Sequence, residues 1–465
     1  MKKQLFIYVL SMLLCVGCAK SFLEEKPDAS IVNPKTLNDC RRLLDNDGQL
    51  VQGLNYWFPS LGQLASDEYY YNKATWESTV FVQERNSYIW EDDIYEGNPQ
   101  ISEWNNCYYA IYVCNVVLDV LNNIEVTAAN RDEYNDIKGT ALFFRAMWNF
   151  ALAETFCLPY DQKTAASEMG IPLRYSPNID QLEKRASLEA TYNSIVKDME
   201  ESVGLLQNKI PSTFRNRPCT VAAEAMLARI YLVMGDFGKA LQYSEKSYNT
   251  YNVLLDYNKL PLDGDAIFDR NNAEILVMCT QQGYLSTAVG RFAPNSFVDS
   301  TLIALYQPKD LRLKAYFTFT EDGKANRKNL YTTGLNGTNC FNGAATDEVL
   351  LILAECKART GDLDGTKILL DNLYKNRFVA GNIPRVNFNT SNDAIQQVLD
   401  ERRKELLFRG MRWSDVRRLN VEGRNISFKR ILGDKEYILP PKSLKYAFLL
   451  PIQEIQFSGL TQNKR

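Results

Sequence analysis

A repeating pattern of apolar residues is the sequence feature that most constrains the fold of this chain. Residues 220–234 repeat apolar side chains at three- and four-residue steps, and residues 237–251 do so again after Gly235. This periodicity predicts two amphipathic helices joined by a tight turn. Ala228 and Ala240 are small enough for the two helices to approach closely, and a glycine permits the turn. The sequence therefore predicts a helix-turn-helix pair.

A degenerate second copy of this pair lies far downstream. The offsets of a tetratricopeptide helix pair are occupied in the first copy by Leu227, Ala228, Tyr231, Gly235 and Ala240, and in the second by Leu353, Ala354, Gly361 and Thr366. Ser244 and Ser247 replace a larger apolar and a small residue, and Lys357 replaces the usual tyrosine. Because the copies are far apart, the sequence predicts separated helical pairs with long insertions rather than a consecutive array.

The remaining segments favour a mainly α fold with one irregular part. Helical periodicity also covers residues 104–121, 137–156 and 188–206, and a proline-rich loop is predicted between the last two. Residues 256–346 break the pattern with glycines and short apolar runs, which predict irregular structure with a few short strands. Long irregular stretches within compact domains are usually functional, so this insertion is the expected ligand side.

The N-terminus carries the pattern of an export signal. Two lysines precede an apolar run over residues 5–16, which is too short to span a bilayer and typical of a signal-peptide core. A small residue before Cys18 resembles the bacterial lipoprotein signal, which implies cleavage before this cysteine and its lipidation. An ordinary secretory signal cleaved nearby and a short buried helix are the alternatives. We expect residues 1–17 to be a lipoprotein signal peptide and residues 18–35 a tether.

The chain contains no histidine among its 465 residues. This excludes His-based acid–base catalysis, nucleophile systems that need histidine, and His-ligated metals. Carboxylate chemistry, hard-cation binding and plain ligand binding remain possible. The net charge of −3 gives no electrostatic basis for binding nucleic acid. Asp263, Asp265 and Asp269 lack the spacing of an EF-hand loop, so we expect a solvated loop and no metal or cofactor.

Aromatic residues make up 12% of the chain and indicate a mode of binding. Between residues 56 and 112, Trp104, Tyr108 and Tyr112 stand at helical spacing and are predicted to pack in the core, whereas other rings stand among polar residues. Rings beside amides and cations suit sugars, because a pyranose presents C–H groups as well as hydroxyls. Packing remains the alternative for any single ring. The predicted ligand residues of this first segment are Tyr70, Trp76 and Trp90. A second segment, residues 284–331 of the irregular insertion, adds Tyr284, Arg291 and Tyr331.

Residues 401–419 combine many charges with apolar residues at helical spacing. Glu405 and Arg409 can pair at i,i+4, and Asp415 can pair with an arginine three residues away on either side. A nucleic-acid-binding helix is conceivable, but the export signal argues against it. A structural helix paired within itself is the favoured interpretation.

Together these features resemble the SusD/RagB family of outer-membrane nutrient-binding lipoproteins over nearly the whole chain. Residues 401–419 are similar to the Glu-Arg-Arg-x-Glu-Leu-x-Phe-x-Gly-x-Arg-Trp-x-Asp-Leu-Arg-Arg stretch of that family, with Val416 in place of its leucine. Supporting matches are Phe22-Leu23-Glu24-Glu25-Lys26-Pro27 after Cys18, Phe144-Arg145-Ala146, Leu450-Pro451-Ile452 and Leu460-Thr461-Gln462-Asn463.

The resemblance implies four tetratricopeptide-like helical pairs, a SusD-like α-α superhelix, with a variable ligand-facing part. It implies a lipoprotein with acyl chains such as palmitate on Cys18, anchored in the cell outer membrane and facing the exterior. It implies two partners: an oligosaccharide ligand and a SusC-like TonB-dependent transporter, which the protein caps and supplies. The resemblance does not identify ligand-binding residues in this chain, because the binding rings of the family lie in variable segments.

The sequence thus predicts one SusD-like domain over residues 36–465. This domain would comprise an N-terminal helical part (36–255), a ligand-side insertion (256–346) and a C-terminal helical part (347–465). The predicted function is non-catalytic glycan binding for nutrient uptake. A carboxylate-only glycoside hydrolase is one alternative and would need two acidic side chains about 5–10 Å apart. A tetratricopeptide-type protein-interaction scaffold is the other, with no pocket and no glycan affinity.

Overall fold

The computed structural model describes residues 34–46, 53–99, 101–264, 267–284, 295–328, 331 and 340–465. Its helices in these ranges are α1 (Leu37–Leu44), α2 (Leu61–Ala65), α3 (Lys73–Glu77), α4 (Val82–Tyr88), α5 (Ser102–Leu121), α6 (Arg131–Phe156), α7 (Leu188–Leu205), α8 (Thr220–Met234), α9 (Phe237–Thr250), α10 (Ser300–Ile303), α11 (Arg312–Tyr316), α12 (Thr346–Thr360), α13 (Leu363–Arg377), α14 (Ser391–Glu405), α15 (Met411–Val421) and α16 (Ile452–Ser458). Its strands are β1 (Tyr69–Tyr71), β2 (Met169–Pro172), β3 (Arg185–Ser187), β4 (Ile275–Val277), β5 (Ser296–Val298), β6 (Phe317–Phe319), β7 (Ala325–Arg327), β8 (Ala344–Ala345), β9 (Phe428–Leu432) and β10 (Lys435–Leu439).

Both predicted tetratricopeptide-like pairs are confirmed, as α8–α9 and α12–α13. Each first helix ends at a left-handed glycine, Gly235 with φ 75° or Gly361 with φ 84°. Each second helix begins at an aspartate, Asp236 or Asp362, whose side chain accepts a hydrogen bond from the amide three residues on. The Gly-Asp dipeptide therefore stops one helix and caps the next, which explains why it recurs at both turns.

The long helices pack side by side in chain order. Contacts join α5 to α6, α6 to α7, α7 to α8 and α8 to α9, and α12 then packs on α9 and α14. Helix α6 is buried over most of its length because α1, α5 and α7 all pack against it. The predicted fold class, a mainly α protein of tetratricopeptide-like pairs with long insertions, is confirmed.

The insertions contribute small antiparallel sheets rather than one large one. Within the described ranges, five two-stranded sheets pair β1 with β5, β2 with β3, β4 with β8, β6 with β7 and β9 with β10. The sheet of β4 and β8 needs a glycine beside it, because a side chain at Gly343 would clash with the carbonyl oxygen of Val277. The predicted short strands over residues 256–346 are present, together with the short helices α10 and α11.

The sequence predicted one helix over residues 401–419, and this prediction is wrong. Helix α14 ends at Glu405 and α15 begins at Met411. Between them Phe408 (φ 58°) and Gly410 (φ 74°) adopt left-handed backbone conformations, which end a right-handed helix. The segment is therefore a helix–turn–helix, and the pair of Arg402 with Asp415 joins its two halves.

The structure also shows the burial of individual residues that the sequence analysis discussed. Trp104 is buried as predicted, but the core prediction is wrong for Tyr112, whose side chain is 40% exposed on α5. Asp263 is exposed and lies 3.6 Å from the ammonium group of Lys314, whereas Asp265 lies outside the described residues. Among the described helices, none combines the length and the apolar character that crossing a bilayer requires.

Candidate ligand-binding face

The strand pair β1–β5 brings together the two segments predicted to bind ligand. Tyr70 on β1 stands opposite Phe297 on β5 in an antiparallel register. A third strand, β7, adjoins β5, where the side-chain amide of Asn326 donates to the carbonyl oxygen of Ser296. The first aromatic segment and the irregular insertion, far apart in sequence, therefore share one surface.

Strand alternation decides which side chains this surface presents. The neighbours of Tyr70 on β1 are buried, and so are those of Phe297 on β5, while these two rings point to the partly exposed side. Their centroids lie 5.7 Å apart, and the ammonium group of Lys324 lies 5.1 Å from the Phe297 centroid. Partial burial raises the pKa of Tyr70, so its hydroxyl stays a neutral donor at physiological pH.

We call Tyr70, Phe297 and Lys324 the β1–β5 face. Its two rings offer a flat apolar surface, and the ammonium group beside them offers hydrogen-bond donors. Asp322 lies 2.7 Å from Lys324 and adds a carboxylate acceptor at the edge of the face. Apolar surface edged by a few polar groups is the arrangement that suits a sugar ring.

The other predicted residues of the first segment are held by protein contacts. The indole of Trp76 is half-buried and donates to the carbonyl oxygen of Arg85 at 2.9 Å. Trp90 is 3% exposed and donates to the carbonyl oxygen of Ala65 at 3.1 Å. Their polar atoms are thus already engaged, and their role in binding a ligand stays a prediction.

The predicted residues of the second segment are also largely enclosed. Tyr284 is 4% exposed, donates its hydroxyl to Glu103 and is flanked by the exposed ring of Phe81, 5.6 Å away. Tyr331 is 8% exposed and donates to a Glu274 carboxylate oxygen at 2.7 Å. Their ligand role stays a prediction.

Arg291 lies outside the described residues. Sequence reasoning did not select Phe81 or Phe297, although Phe81 stands among the aromatic residues between 56 and 112 and Phe297 lies in the irregular insertion, which was the available signal.

Arginines of the 401–419 segment form ion pairs with the aspartates that flank β1 and β5. Arg412 binds both carboxylate oxygens of Asp67, at 2.7 and 2.8 Å, just before β1. Arg403 reaches both Asp67 and Asp299, at 3.4 Å each, and so joins the start of β1 to the end of β5. Burial alone would raise the pKa of Asp67, but Arg412 lowers it to about 2. The charged segment therefore positions the strands that carry the exposed rings.

Glu68, at the start of β1, is the titratable group that makes this set of contacts pH-sensitive. Burial raises its pKa to about 7, against the hydrogen bonds from Gln63 and from the amide of Phe408. A buried acid with a raised pKa binds its proton more tightly in the folded protein than in the unfolded chain. The folded protein is therefore favoured while Glu68 is protonated.

The stability of the protein is expected to fall as the pH rises from about 4.5 to 7 through the titration of Glu68. This contribution amounts to roughly 3 kcal/mol and is complete above pH 7. Glu68→Gln, which stays neutral, should lose this part of the slope and gain stability relative to the wild type towards pH 8. Urea unfolding of both proteins between pH 5 and 8 measures it. Parallel stability profiles would contradict the assignment.

The structure thus defines a helical-repeat scaffold with an aromatic face on inserted strands. A family model described as "Starch-binding associating with outer membrane" matches residues 21–232, and one described as "SusD family" matches residues 346–447. Together they cover about two thirds of the chain. The chain belongs to the SusD/RagB family.

Individual relatives agree with this membership. The SusD-like protein P2 of Formosa agariphila is 23% identical, over 97% of this chain and 99% of the relative. A SusD superfamily protein from Bacteroides vulgatus superposes with a TM-score of 0.73 at 21% identity, covering 92% of this chain and 99% of that one. A structure described as a laminarin binding SusD-like protein superposes at 0.61 with 18% identity, covering 87% and 93%. The solved structures are similar in fold.

Proposed function

We propose that this protein is a cell-surface glycan-binding lipoprotein that captures an oligosaccharide and delivers it to a SusC-like TonB-dependent transporter in the outer membrane. The observation that carries the proposal is the meeting of Tyr70 and Phe297 on the β1–β5 face, with Lys324 beside them. Relatives named as sugar binding or laminarin binding support the ligand class.

In this proposal the sugar stacks on Tyr70 and Phe297, and Lys324 donates to its hydroxyls. Tyr284 contributes through Phe81, whose exposed ring it supports. Trp76 and Trp90 hold the segment that follows β1, so they act by positioning. This division rests on the exposure of each ring, since a ring must reach solvent to stack on a sugar.

Replacing either ring of the β1–β5 face should weaken glycan binding about tenfold. Tyr70→Ala and Phe297→Ala each remove an aromatic contact, which is worth about 1–2 kcal/mol. Calorimetry on the purified full chain, with laminarin and maltose oligosaccharides, measures the change. Phe457→Ala is the matched control because it removes an exposed ring from α16, at the far end of the chain. Unchanged affinity in both face variants would reject this face as the binding site.

The same samples separate the two other functional classes. A hydrolase would release reducing ends from the oligosaccharide during incubation, whereas a binding protein returns it intact. A protein-interaction scaffold would show no saturable binding to any oligosaccharide. Recovery of intact, bound oligosaccharide is the expected result.

Lipid anchoring is expected to depend on Cys18. A protein held by acyl chains moves to the soluble fraction when its acylated cysteine is removed, because each buried methylene contributes about 0.8 kcal/mol to membrane binding. Cys18→Ala should therefore lose both palmitate labelling and recovery with the outer membrane. Cys40→Ala, which alters a buried cysteine of α1, is the control. A Cys18→Ala protein that remained labelled and membrane-bound would overturn the anchor.

A further inference from the structure

A cavity of about 310 Å³ lies between α5 and the segment that follows β2. Its walls include Tyr109, Tyr112, Asn115, Arg174, Ser176 and Asn178. The volume falls within the range of small-ligand sites, about 300–1,000 Å³. The lining combines phenol rings, amides, a hydroxyl and a guanidinium, and it shares no residue with the β1–β5 face.

Arg174 is an arginine in the cavity wall whose guanidinium has no ion-pair partner among the described residues. Its Nε is enclosed by protein atoms and has no hydrogen-bond partner, so the Nη groups are the donors for an anion in the cavity. The neighbouring Arg145, in contrast, binds both carboxylate oxygens of Asp198, at 2.6 and 2.8 Å. An arginine fork without an acidic partner is suited to bind an anion through two parallel hydrogen bonds.

Protein contacts hold Arg174 in place without using its charge. Its guanidinium carbon lies 5.6 Å from the centroid of Tyr108, a cation–π distance. Its carbonyl oxygen accepts a hydrogen bond from the Asn115 amide at 3.0 Å, and Asn115 in turn accepts one from Arg145. The hydroxyl of Tyr108 donates to the carbonyl oxygen of Pro172 at 2.9 Å. The anion-binding group is therefore positioned before any ligand arrives.

Two exposed rings complete the cavity wall. Tyr109 and Tyr112 stand three residues apart on α5 and are 44% and 40% exposed. Rings on neighbouring turns of one helix face point in similar directions, so both can contact one ligand. Ser176 and Asn178 add a hydroxyl and an amide on the opposite wall.

We propose that this cavity is a second ligand site, which binds a saccharide carrying an anionic group. The anion binds the guanidinium of Arg174, and the sugar ring packs on Tyr109 or Tyr112. A carboxylate of a uronic acid and a sulfate ester share the chemistry that this arginine recognises. The site is separate from the β1–β5 face and does not depend on it.

The test is calorimetry on the full chain with oligogalacturonate, a sulfated galactan oligosaccharide and a neutral maltose oligosaccharide. Arg174→Gln should weaken binding of an anionic oligosaccharide roughly 10- to 100-fold, the effect of losing charge-assisted hydrogen bonds. Arg424→Gln, which removes an exposed positive charge away from the cavity, should leave it unchanged. Binding of the neutral oligosaccharide should not differ between these variants. A thermal melt checks that each variant is folded.

The result also identifies the anion and separates this proposal from the glycan-binding function. Arg174-dependent binding of oligogalacturonate alone assigns a carboxylate, and that of the sulfated sugar alone assigns a sulfate. A Tyr70→Ala/Phe297→Ala variant should keep its anionic-sugar affinity. The proposal is overturned if neither anionic oligosaccharide binds saturably, or if Arg174→Gln binds it as tightly as the wild type. It is equally overturned if the anionic sugar loses affinity only in the double variant.

Discussion

Replacing Arg312 with methionine is expected to lower the free energy of unfolding by about 3–5 kcal/mol. This arginine is completely buried on α11 and makes ion pairs with Asp310, Glu401 and Glu405 at 2.7–3.0 Å. Its removal leaves carboxylates without their counter-charge in the interior, where an unpaired charge is far more costly than in water. Asp310 is affected most, because among the described residues Arg312 is its one ion-pair partner.

Arg312→Met should lower the free energy of unfolding by more than the removal of any exposed ion pair does. Burial alone would raise the pKa of Glu405, but Arg377 and Arg312 lower it to about 2, so the carboxylate is charged at neutral pH. Urea unfolding at pH 7 measures the change. Lys429→Met, which breaks an exposed pair with Glu436 on the β9–β10 hairpin, should cost less than about 1 kcal/mol. A loss below 1 kcal/mol for Arg312→Met would show that the interior rearranges to solvate these carboxylates.

These partners also show what the sequence could reveal about the 401–419 segment. A structural role was predictable, because the segment carries both signs of charge at helical spacing. Its partners were not: Glu405 pairs with Arg312 and Arg377 rather than with Arg409, which binds Asp347. Helix α14 ends at Glu405 and the left-handed turn at Phe408 follows, so the i,i+4 spacing of a helix does not apply between Glu405 and Arg409. Asp415 does pair with Arg418, three residues on in the same helix.

Helical pairs were predictable because their signals are local. Periodicity and the Gly-Asp turns depend on residues close in sequence. They located α8 and α9 to within a residue or two, and they located the turn between α12 and α13. Ring exposure is different, because it depends on what the rest of the chain places over each ring. Trp90 is covered by Phe428, from the opposite end of the chain, whereas Tyr112 is left uncovered on a helix whose spacing predicted burial.

The two segments predicted to bind ligand lie on one surface, whereas most of the individual residues predicted there are buried or engaged by protein contacts. The sequence placed candidates in two separate stretches, and the pairing of β1 with β5 brings those stretches together. Which ring faces outward is set by strand alternation over three residues, too short a run to show a pattern in the sequence. Tyr70 is partly exposed and its role in binding a ligand stays a prediction, and its partner Phe297 became evident only through the register.

Trp148 is the aromatic side chain whose loss should most weaken the helical core. Its ring is fully buried on α6 and stacks on Phe58, with centroids 3.8 Å apart and planes within 6°. Its indole donates to the carbonyl oxygen of Leu54 at 3.2 Å. The backbone of Phe58 in turn hydrogen-bonds to both Thr280 and Gln282, in the segment that leads to Tyr284. Trp148 therefore links the helical core, through Phe58, to residues 280–282 within the predicted ligand-side insertion.

Trp148→Ala is expected to lower the free energy of unfolding by about 3–5 kcal/mol, because it leaves a large cavity and an unpaired carbonyl group. Trp148→Phe keeps the stacking surface and should cost less than half as much. Urea unfolding measures both, and hydrogen exchange at the amides of Phe58 and Gln282 should quicken in the alanine variant beyond the global loss. Phe457→Ala, an exposed ring on α16, should stay within about 0.5 kcal/mol of the wild type. An alanine variant within 1 kcal/mol of the wild type would mean that the 53–58 segment collapses to fill the space, and that the core and the insertion are coupled through other contacts.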